Sequence, residues 1–199
     1  MEILVDDGQV RIGRLIVGPL ENNVYVVASS GQAAIIDAAA DPDRIVAAVE
    51  ELNVLAVLTT HGHQDHIGAL EEVRRRLGVP FLMHPADSAI AGIIPDVPLV
   101  DREDFLIGGH SLAAIHTPGH TPGSTSLLMG RHLFTGDTLF PGGPGATRFP
   151  YADFDTIMRS LDERLFVLGD DTHVYPGHGE ATTIGAERPH VEEWRRRRW

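Results

Sequence analysis

Four residues within six positions have the types and spacing to hold metal ions: His61, His63, Asp65 and His66, in the stretch His61-Gly62-His63-Gln64-Asp65-His66. Imidazole nitrogens and carboxylate oxygens are donors that zinc, iron and manganese all accept. In an extended stretch side chains alternate, so His61 and His63 face the same way and can share one ion. Asp65 and His66 stand at a helix start, where the turning chain could aim both at a second ion. Each pair is short of the three or four protein donors that a site with an open position needs. The motif therefore implies either two ions or one ion with a redundant donor set. Three later residues can complete the sets: His120, Asp137 and His178 each sit in a Gly/Pro-punctuated loop directly after an expected strand. A carboxylate such as Asp137 suits a bridge between two ions about 3.5–4 Å apart.

The elements that must position these residues are legible from apolar spacing. Val10 to Val17, Val24 to Ala28 and Ala33 to Ile36 read as strands, and Asp41-Pro42 opens a helix with Ile45, Val46, Val49 and Leu52 on its apolar face. Val54 to Leu58 is a fully apolar strand that leads into the histidine motif. Ile67 to Leu77 reads as one helix, because Ile67, Leu70, Val73, Arg74 and Leu77 recur at spacings of three and four. Gly78 stops it, and Val79 to Met83 is the next strand, so a βαβ unit with a parallel pair is expected. His84-Pro85-Ala86-Asp87 opens a short helix. Residues 92 to 110 read as a connection with one short strand near Phe105-Leu106-Ile107. Leu112 to Ile115, Thr125 to Met129 and His132 to Phe134 form an expected antiparallel section. A Gly/Pro loop from Phe140 to Pro150, a helix from Phe154 to Phe166 and a short strand at Val174-Tyr175 complete the order. Two β-then-α halves packed sheet to sheet, with helices outside, account for it in a single domain over residues 1–199. The metal motif then lies beyond the C-terminal end of a strand, where α/β folds place their sites.

Composition narrows the function. The formal net charge is −12 with histidine neutral, and the longest basic run is Arg195 to Arg198. Nucleic acid is therefore not an expected partner, since phosphate neutralisation needs a basic face. The terminal arginines read as a solvated helix end or a frayed tail. There is no cysteine and no lysine. Disulfides, thiolate ligands and Schiff-base chemistry on an enzyme lysine are excluded. No apolar stretch is long enough to span a membrane and the N-terminus lacks the order of a signal peptide, so a small-molecule substrate and a cytoplasmic location are the expectations. Oligomeric state is left open.

Four motifs in order resemble the metallo-β-lactamase superfamily in its glyoxalase II-like branch: His61-x-His63-x-Asp65-His66, Thr117-Pro118-Gly119-His120-Thr121-Pro122-Gly123, Thr135-Gly136-Asp137-Thr138-Leu139-Phe140 and Tyr175-Pro176-Gly177-His178-Gly179. That resemblance implies an α/β fold, an αβ/βα four-layer sandwich of two packed mixed sheets. It implies that His61, His63 and His120 bind one divalent ion, that Asp65, His66 and His178 bind a second, and that Asp137 bridges them. Asp65 and Asp137 are then the candidate catalytic carboxylates. Zinc is the first expectation for both ions, with iron and manganese suited to the same donors.

The implied chemistry is hydrolysis by a bridging hydroxide, because two divalent ions lower the pKa of a shared water towards ~7 and polarise a carbonyl. A thioester fits, since a thiol of reference pKa about 8.5 leaves without a strong general acid. No Gly-x-Ser-x-Gly nucleophile is present, and Ser124 reads as a turn residue. Arg148 is the candidate substrate-binding cation. Family members carry such an arginine closer to the glycine of this loop, so its role here is weighed against a surface ion pair. Glutathione-specific members append a helical domain after the last histidine. The stretch Thr182 to Arg188 looks instead like the ending of short single-domain members, so glutathione recognition is not expected from it. Two alternatives use the same motifs: a mononuclear iron persulfide dioxygenase using only a His/His/Asp set, and a lactone hydrolase.

Overall fold

The protein is described by a computed structural model over residues 1–198. Glu2–Asp6 (β1), Arg11–Val17 (β2), Asn22–Ser29 (β3) and Gln32–Ile36 (β4) pair as an antiparallel meander. The helix Pro42–Ala48 (α1) then returns the chain to Asn53–Leu58 (β5), parallel to β4. The helices Gln64–Ile67 (α2) and Leu70–Leu77 (α3) lead to Phe81–Met83 (β6), and Ser88–Ala91 (α4) leads to Val97–Pro98 (β7). These seven strands lie side by side in sequence order. The expected βαβ unit is present, with β5 and β6 parallel.

The second sheet begins with Asp104–Ile107 (β8), His110–His116 (β9), Thr125–Met129 (β10) and His132–Gly136 (β11), paired antiparallel as expected. A small hairpin, Leu139–Phe140 (β12) with Gly143–Pro144 (β13), occupies the Gly/Pro loop. Phe154–Ser160 (α5) runs on into a wide turn over Leu161–Leu165 before His173–Pro176 (β14) and Thr182–Thr183 (β15). The order is β15-β14-β11-β10-β9-β8, with β14 parallel to β11. Ile184–Glu187 (α6) and Val191–Arg197 (α7) close the chain.

Three apolar clusters make these elements four layers. Ile12, Tyr25, Val27, Ile36 and Leu58 meet Ile107, Leu112, Leu127 and Phe134 between the sheets. The other face of the first sheet is covered by Ile45 of α1 and by Leu70 and Val73 of α3. The other face of the second is covered by Met158, Leu161, Ile184 and Trp194. No helix among the described residues is long and apolar enough to cross a membrane.

Two departures from the sequence reading have physical causes. The helix expected from Ile67 to Leu77 is broken at Gly68–Ala69: Ala69 N–H donates to Ala38 O, and a Cβ on Gly68 would stand 2.6 Å from Ala39 O. The break separates the turn that bears Asp65 and His66 from α3. Strand β1 was not expected; it pairs along β2 and is tied by Glu2, which accepts from the buried Arg14. Of the two readings of the terminal arginines, the solvated helix end is the one observed: they are exposed at the end of α7, which buries Trp194 to 1% exposure, and Arg195, Arg197 and Arg198 pair with Asp162, Glu193 and Asp155.

The burial of Trp194 yields a prediction that separates a packed helix from a frayed one. Trp194→Ala is expected to lower the unfolding free energy by about 3–5 kcal/mol, the usual cost of removing a buried aromatic. Urea unfolding followed by circular dichroism checks it, and an unchanged midpoint would count against the packing of α7.

Candidate metal centre

All seven motif residues meet at one end of the sandwich, beyond the C-terminal ends of β5, β11 and β14 and in the turn between β9 and β10. His63 Nδ1 lies 3.0 Å from both His61 Nε2 and His120 Nε2. Asp65 Oδ2 lies 3.6 Å from His66 Nε2 and 3.2 Å from His178 Nε2. Asp137 stands between the groups, with Oδ1 3.3 Å from His66 Nε2 and Oδ2 3.6 Å from His120 Nε2. Three overlapping donor groups result: His61/His63/His120, His61/His66/Asp137 and Asp65/His66/His178. The last of the sequence candidates, Arg148, is exposed on the rim of the same cavity, its guanidinium over the Phe149 ring at 5.6 Å.

The backbone makes this crowding possible at two glycines. A Cβ on Gly136 would stand 2.3 Å from Thr60 Oγ1, and one on Gly177 would stand 2.5 Å from both Asp137 Oδ1 and His66 Cε1. Gly177 N–H donates to Gly136 O, and Asn23 N–H donates to Gly177 O, which pins the ligand loops of the second sheet to each other and to β3.

Each imidazole is held by its other ring nitrogen. His61 Nδ1 lies 3.1 Å from Thr60 Oγ1, which itself donates to Asp37 Oδ2; His61 is thus the donor, and its Nε2 lone pair faces inward. His66 Nδ1 is 3.0 Å from Asp37 Oδ2, His120 Nδ1 is 2.8 Å from Ala146 O, and His178 Nδ1 is 3.0 Å from Leu20 O. His63 Nε2 is 2.7 Å from the Tyr151 hydroxyl.

Sequence reasoning missed three residues that hold the site. Asp37 is buried, accepts from Thr60 N–H as well as from the groups above, and has φ 58°, a left-handed backbone that a non-glycine residue adopts at some cost. Asp87 is buried and accepts from Gly62 N–H, Thr121 Oγ1–H and Gly123 N–H, so it ties the His61 loop to the His120 loop. Asn22 Nδ2–H donates to Asp65 Oδ2 and lies 3.3 Å from His178 Nε2. Asp37 carried a weak signal, since it directly follows β4; Asp87, at the end of the turn Pro85–Asp87, and Asn22 carried none. His84 and His116 stack on each other at 4.2 Å and do not reach the site; His116 Nε2–H braces the loop through Pro122 O. Ser124 is the expected turn residue, accepting from Thr121 N–H.

Electrostatics divides the histidines into two kinds. Burial and the neighbouring imidazoles push His61 well below the ordinary histidine range, and burial followed by His120 lowers His63 to about 4. Burial works the same way on His66, but Asp137 and Asp37 override it and hold that ring well above the ordinary range. The hydrogen bond to Asp65 raises His178. Asp65 is lowered, first by His178 and then by His66 and Asn22. Asp137 is lowered against its burial, first by the charge of His66 and then by those of His120 and His178.

The residues present fit a pair of divalent cations. His66 Nε2 and Asp137 Oδ1 are fully buried side-chain atoms with no hydrogen-bond partner. Two buried polar atoms left orphaned a few ångströms apart, among further inward-facing donors, are what a cation between them would satisfy.

A family profile described as the metallo-beta-lactamase superfamily matches residues 17–178. The chain is 35% identical over 178 residues to the hydroxyacylglutathione hydrolase GloC of Haemophilus influenzae, covering 78% of this chain and 84% of that protein. Among solved structures it is similar to TTHA1623, in a di-iron-bound form, with a TM-score of 0.78, 34% identity and coverage of 88% and 96%. It is also similar to ETHE1 from Myxococcus xanthus, with a TM-score of 0.81, 30% identity and coverage of 90% and 82%.

Two outcomes follow from this geometry. Asp87→Ala orphans three buried donors, and a loss of about 3 kcal/mol in unfolding free energy is expected; chemical denaturation of the metal-free protein measures it. His66, held well above the ordinary range, keeps a proton at neutral pH and His178 is drawn the same way, whereas the lowered His61 and His63 are neutral there. Metal uptake at pH 7 should therefore release protons, and acidification should empty the Asp65/His66/His178 set before the His61/His63/His120 set. Calorimetry in buffers of different ionisation enthalpy, with bound metal quantified against pH, checks both; a single-step loss with no proton release contradicts them.

Proposed function

The chain belongs to the metallo-β-lactamase superfamily, and from that membership and the pocket's geometry we propose that it is a dinuclear metal-dependent hydrolase whose substrate is a thioester. The observation that carries this reading is the position of Asp137, within reach of both donor sets at the floor of one cavity of about 510 Å3. His61, His63 and His120 would hold one ion, Asp65, His66 and His178 the other, and Asp137 both. Two divalent ions so held supply hydroxide at neutral pH and polarise a carbonyl oxygen. Zinc is our first choice, and the di-iron form of TTHA1623 supports iron as an alternative occupant.

The protein's own residues do the rest. Asn22 Nδ2–H and His178 keep Asp65 ionised, so its carboxylate stays an acceptor throughout the neutral range. Leu20, Phe140, Pro141, Pro144 and Phe149 form an apolar wall that excludes water from the acyl chain. The Arg148 guanidinium lies over the Phe149 ring at the rim, and in this reading it would take an anionic end of the substrate. A thiolate leaves at neutral pH without a strong proton donor, and an amide or phosphodiester would need one. The relationship to GloC of Haemophilus influenzae supports a hydroxyacyl thioester over other thioesters. A mononuclear iron persulfide dioxygenase would leave the Asp65/His66/His178 set without a task, although that set is as well anchored as the other.

The reading is tested on one metal-quantified sample assayed with lactoylglutathione, a simple lactone and a persulfide. Thioester turnover with about two ions per chain is the expected result. One iron per chain with thiol-dependent oxygen uptake overturns it. Arg148→Ala is expected to raise KM for an anionic thioester about 10-fold or more with kcat little changed, since a charge-assisted hydrogen bond contributes about 1.5–3 kcal/mol.

A further inference from the structure

The five site histidines differ in what holds their second ring nitrogen. His61 and His66 lean on the buried Thr60–Asp37 pair of the first sheet, and His178 and His120 on the backbone carbonyls of Leu20 and Ala146. His63 is held by a side chain that is 38% exposed, the Tyr151 hydroxyl at 2.7 Å. Tyr151 is not loosely placed. Its ring stacks on Phe149 at 5.6 Å with 8° between planes, and the Phe149 ring in turn lies 4.9 Å from His63 and 6.0 Å from His120. The turn that carries both aromatics is closed by Ala152 N–H donating to Phe149 O and is anchored by Asp153 N–H donating to Gly119 O, beside His120.

The hydrogen bond has a direction. His63 turns Nδ1 towards His61 and His120, so that nitrogen must keep its lone pair for an ion, and the ring proton of the neutral imidazole belongs on Nε2. Nε2–H therefore donates to the Tyr151 oxygen. In this respect Tyr151 does for His63 what Asp37 does for His66. The segment that supplies it also supplies Ala146 O to His120 and, through Phe140, Pro141, Pro144 and Phe149, the wall of the cavity.

We propose that Tyr151 is a positioning residue that fixes the Nε2–H tautomer of His63, and that residues 140–151 thereby hold two of the three ligands of the His61/His63/His120 set while forming the substrate wall. The inference rests on the two-ion reading of the site. It does not depend on which substrate is turned over. Ion retention at the first set and the packing of the wall are then one property, which no motif residue by itself would show.

Tyr151→Phe keeps the stack on Phe149 and removes only the hydroxyl. Dialysis of the metal-loaded protein against graded chelator, with metal quantified, is expected to show one of two equivalents lost at about 10- to 100-fold lower chelator concentration, the usual effect of deleting an outer partner of a ligand histidine. The other equivalent should be retained as in the parent. Nitrogen NMR of the metal-free protein is expected to find His63 as the Nε2–H tautomer in the parent and as a mixture in the variant, a signature that a packing role for Tyr151 would not move. Unchanged retention of both equivalents, or an Nδ1–H His63 in the parent, overturns the proposal. Neither readout uses a substrate, so a parent that binds two ions but fails to turn over thioesters removes the proposed reaction and leaves this inference standing.

Discussion

Five imidazoles can share one pocket only if each keeps a lone pair facing inward, and a neutral ring does so only when its other nitrogen has an acceptor for the proton. The site meets this constraint five times over with five different acceptors, drawn from Thr60, Tyr151, Asp37, Ala146 and Leu20. The consequence is electrostatic as well as geometric. On the side of His61 and His63 the neighbours are other imidazoles, and burial with mutual repulsion keeps these rings neutral. On the side of His66 and His178 the neighbours are Asp65, Asp137 and Asp37, and the rings are drawn towards the charged form. One pocket thus holds a set whose rings are neutral and a set in which His66 must first give up a proton.

The sheets are arranged around that requirement. Asp37 leaves the end of β4 in a left-handed conformation that turns its carboxylate back across β5 towards Thr60 and His66, a local strain the surrounding hydrogen bonds outweigh. Asp87 binds the two histidine loops of different sheets through buried donors. Thr125 N–H donates to Thr60 O and Gly177 N–H to Gly136 O, so the ends of β5, β10, β11 and β14 are tied to one another where the ligands emerge. A carboxylate without partners at these depths would be costly. Here Asp37 and Asp87 are each shared among several donors, and the same bonds that satisfy them fix the ligand loops.

Much of this was legible in the sequence because it is carried by period and punctuation. Strands β2 to β5, the βαβ unit and the antiparallel section around β10 follow from apolar spacing, and His120, Asp137 and His178 stood out because each follows a strand inside a Gly/Pro loop. What was not legible depends on contacts remote in sequence. Strand β1 has an ordinary exposed pattern and is a strand because β2 offers an edge and Arg14 a partner for Glu2. Trp194 is buried because α5, the wide turn after it and α6 leave a place for it over the second sheet, which no window around the arginine run could reveal. The break before α3 comes from the approach of Ala38 and Ala39, some thirty positions earlier. Asn22 reaches Asp65 and His178 only because β3 begins beside the loop after β14.

The division of labour between floor and wall explains why the four motifs specify a chemistry so much more sharply than a substrate. The floor is over-determined: each ligand is fixed by its own strand end and by a second contact, and two sheets contribute. Apart from Leu20 the wall is one segment, residues 140–151, with a two-residue-per-strand hairpin, the run Pro141-Gly142-Gly143-Pro144 and a single cation. Substitution there can change the acyl chain or the anionic end that fits without moving β5 or β11. The segment is not free of the floor, however, because Ala146 O and the Tyr151 hydroxyl hold His120 and His63. Changes that keep the backbone at 146 and the aromatic pair at 149 and 151 alter selectivity alone, and changes that disturb those points alter the ligand geometry with it.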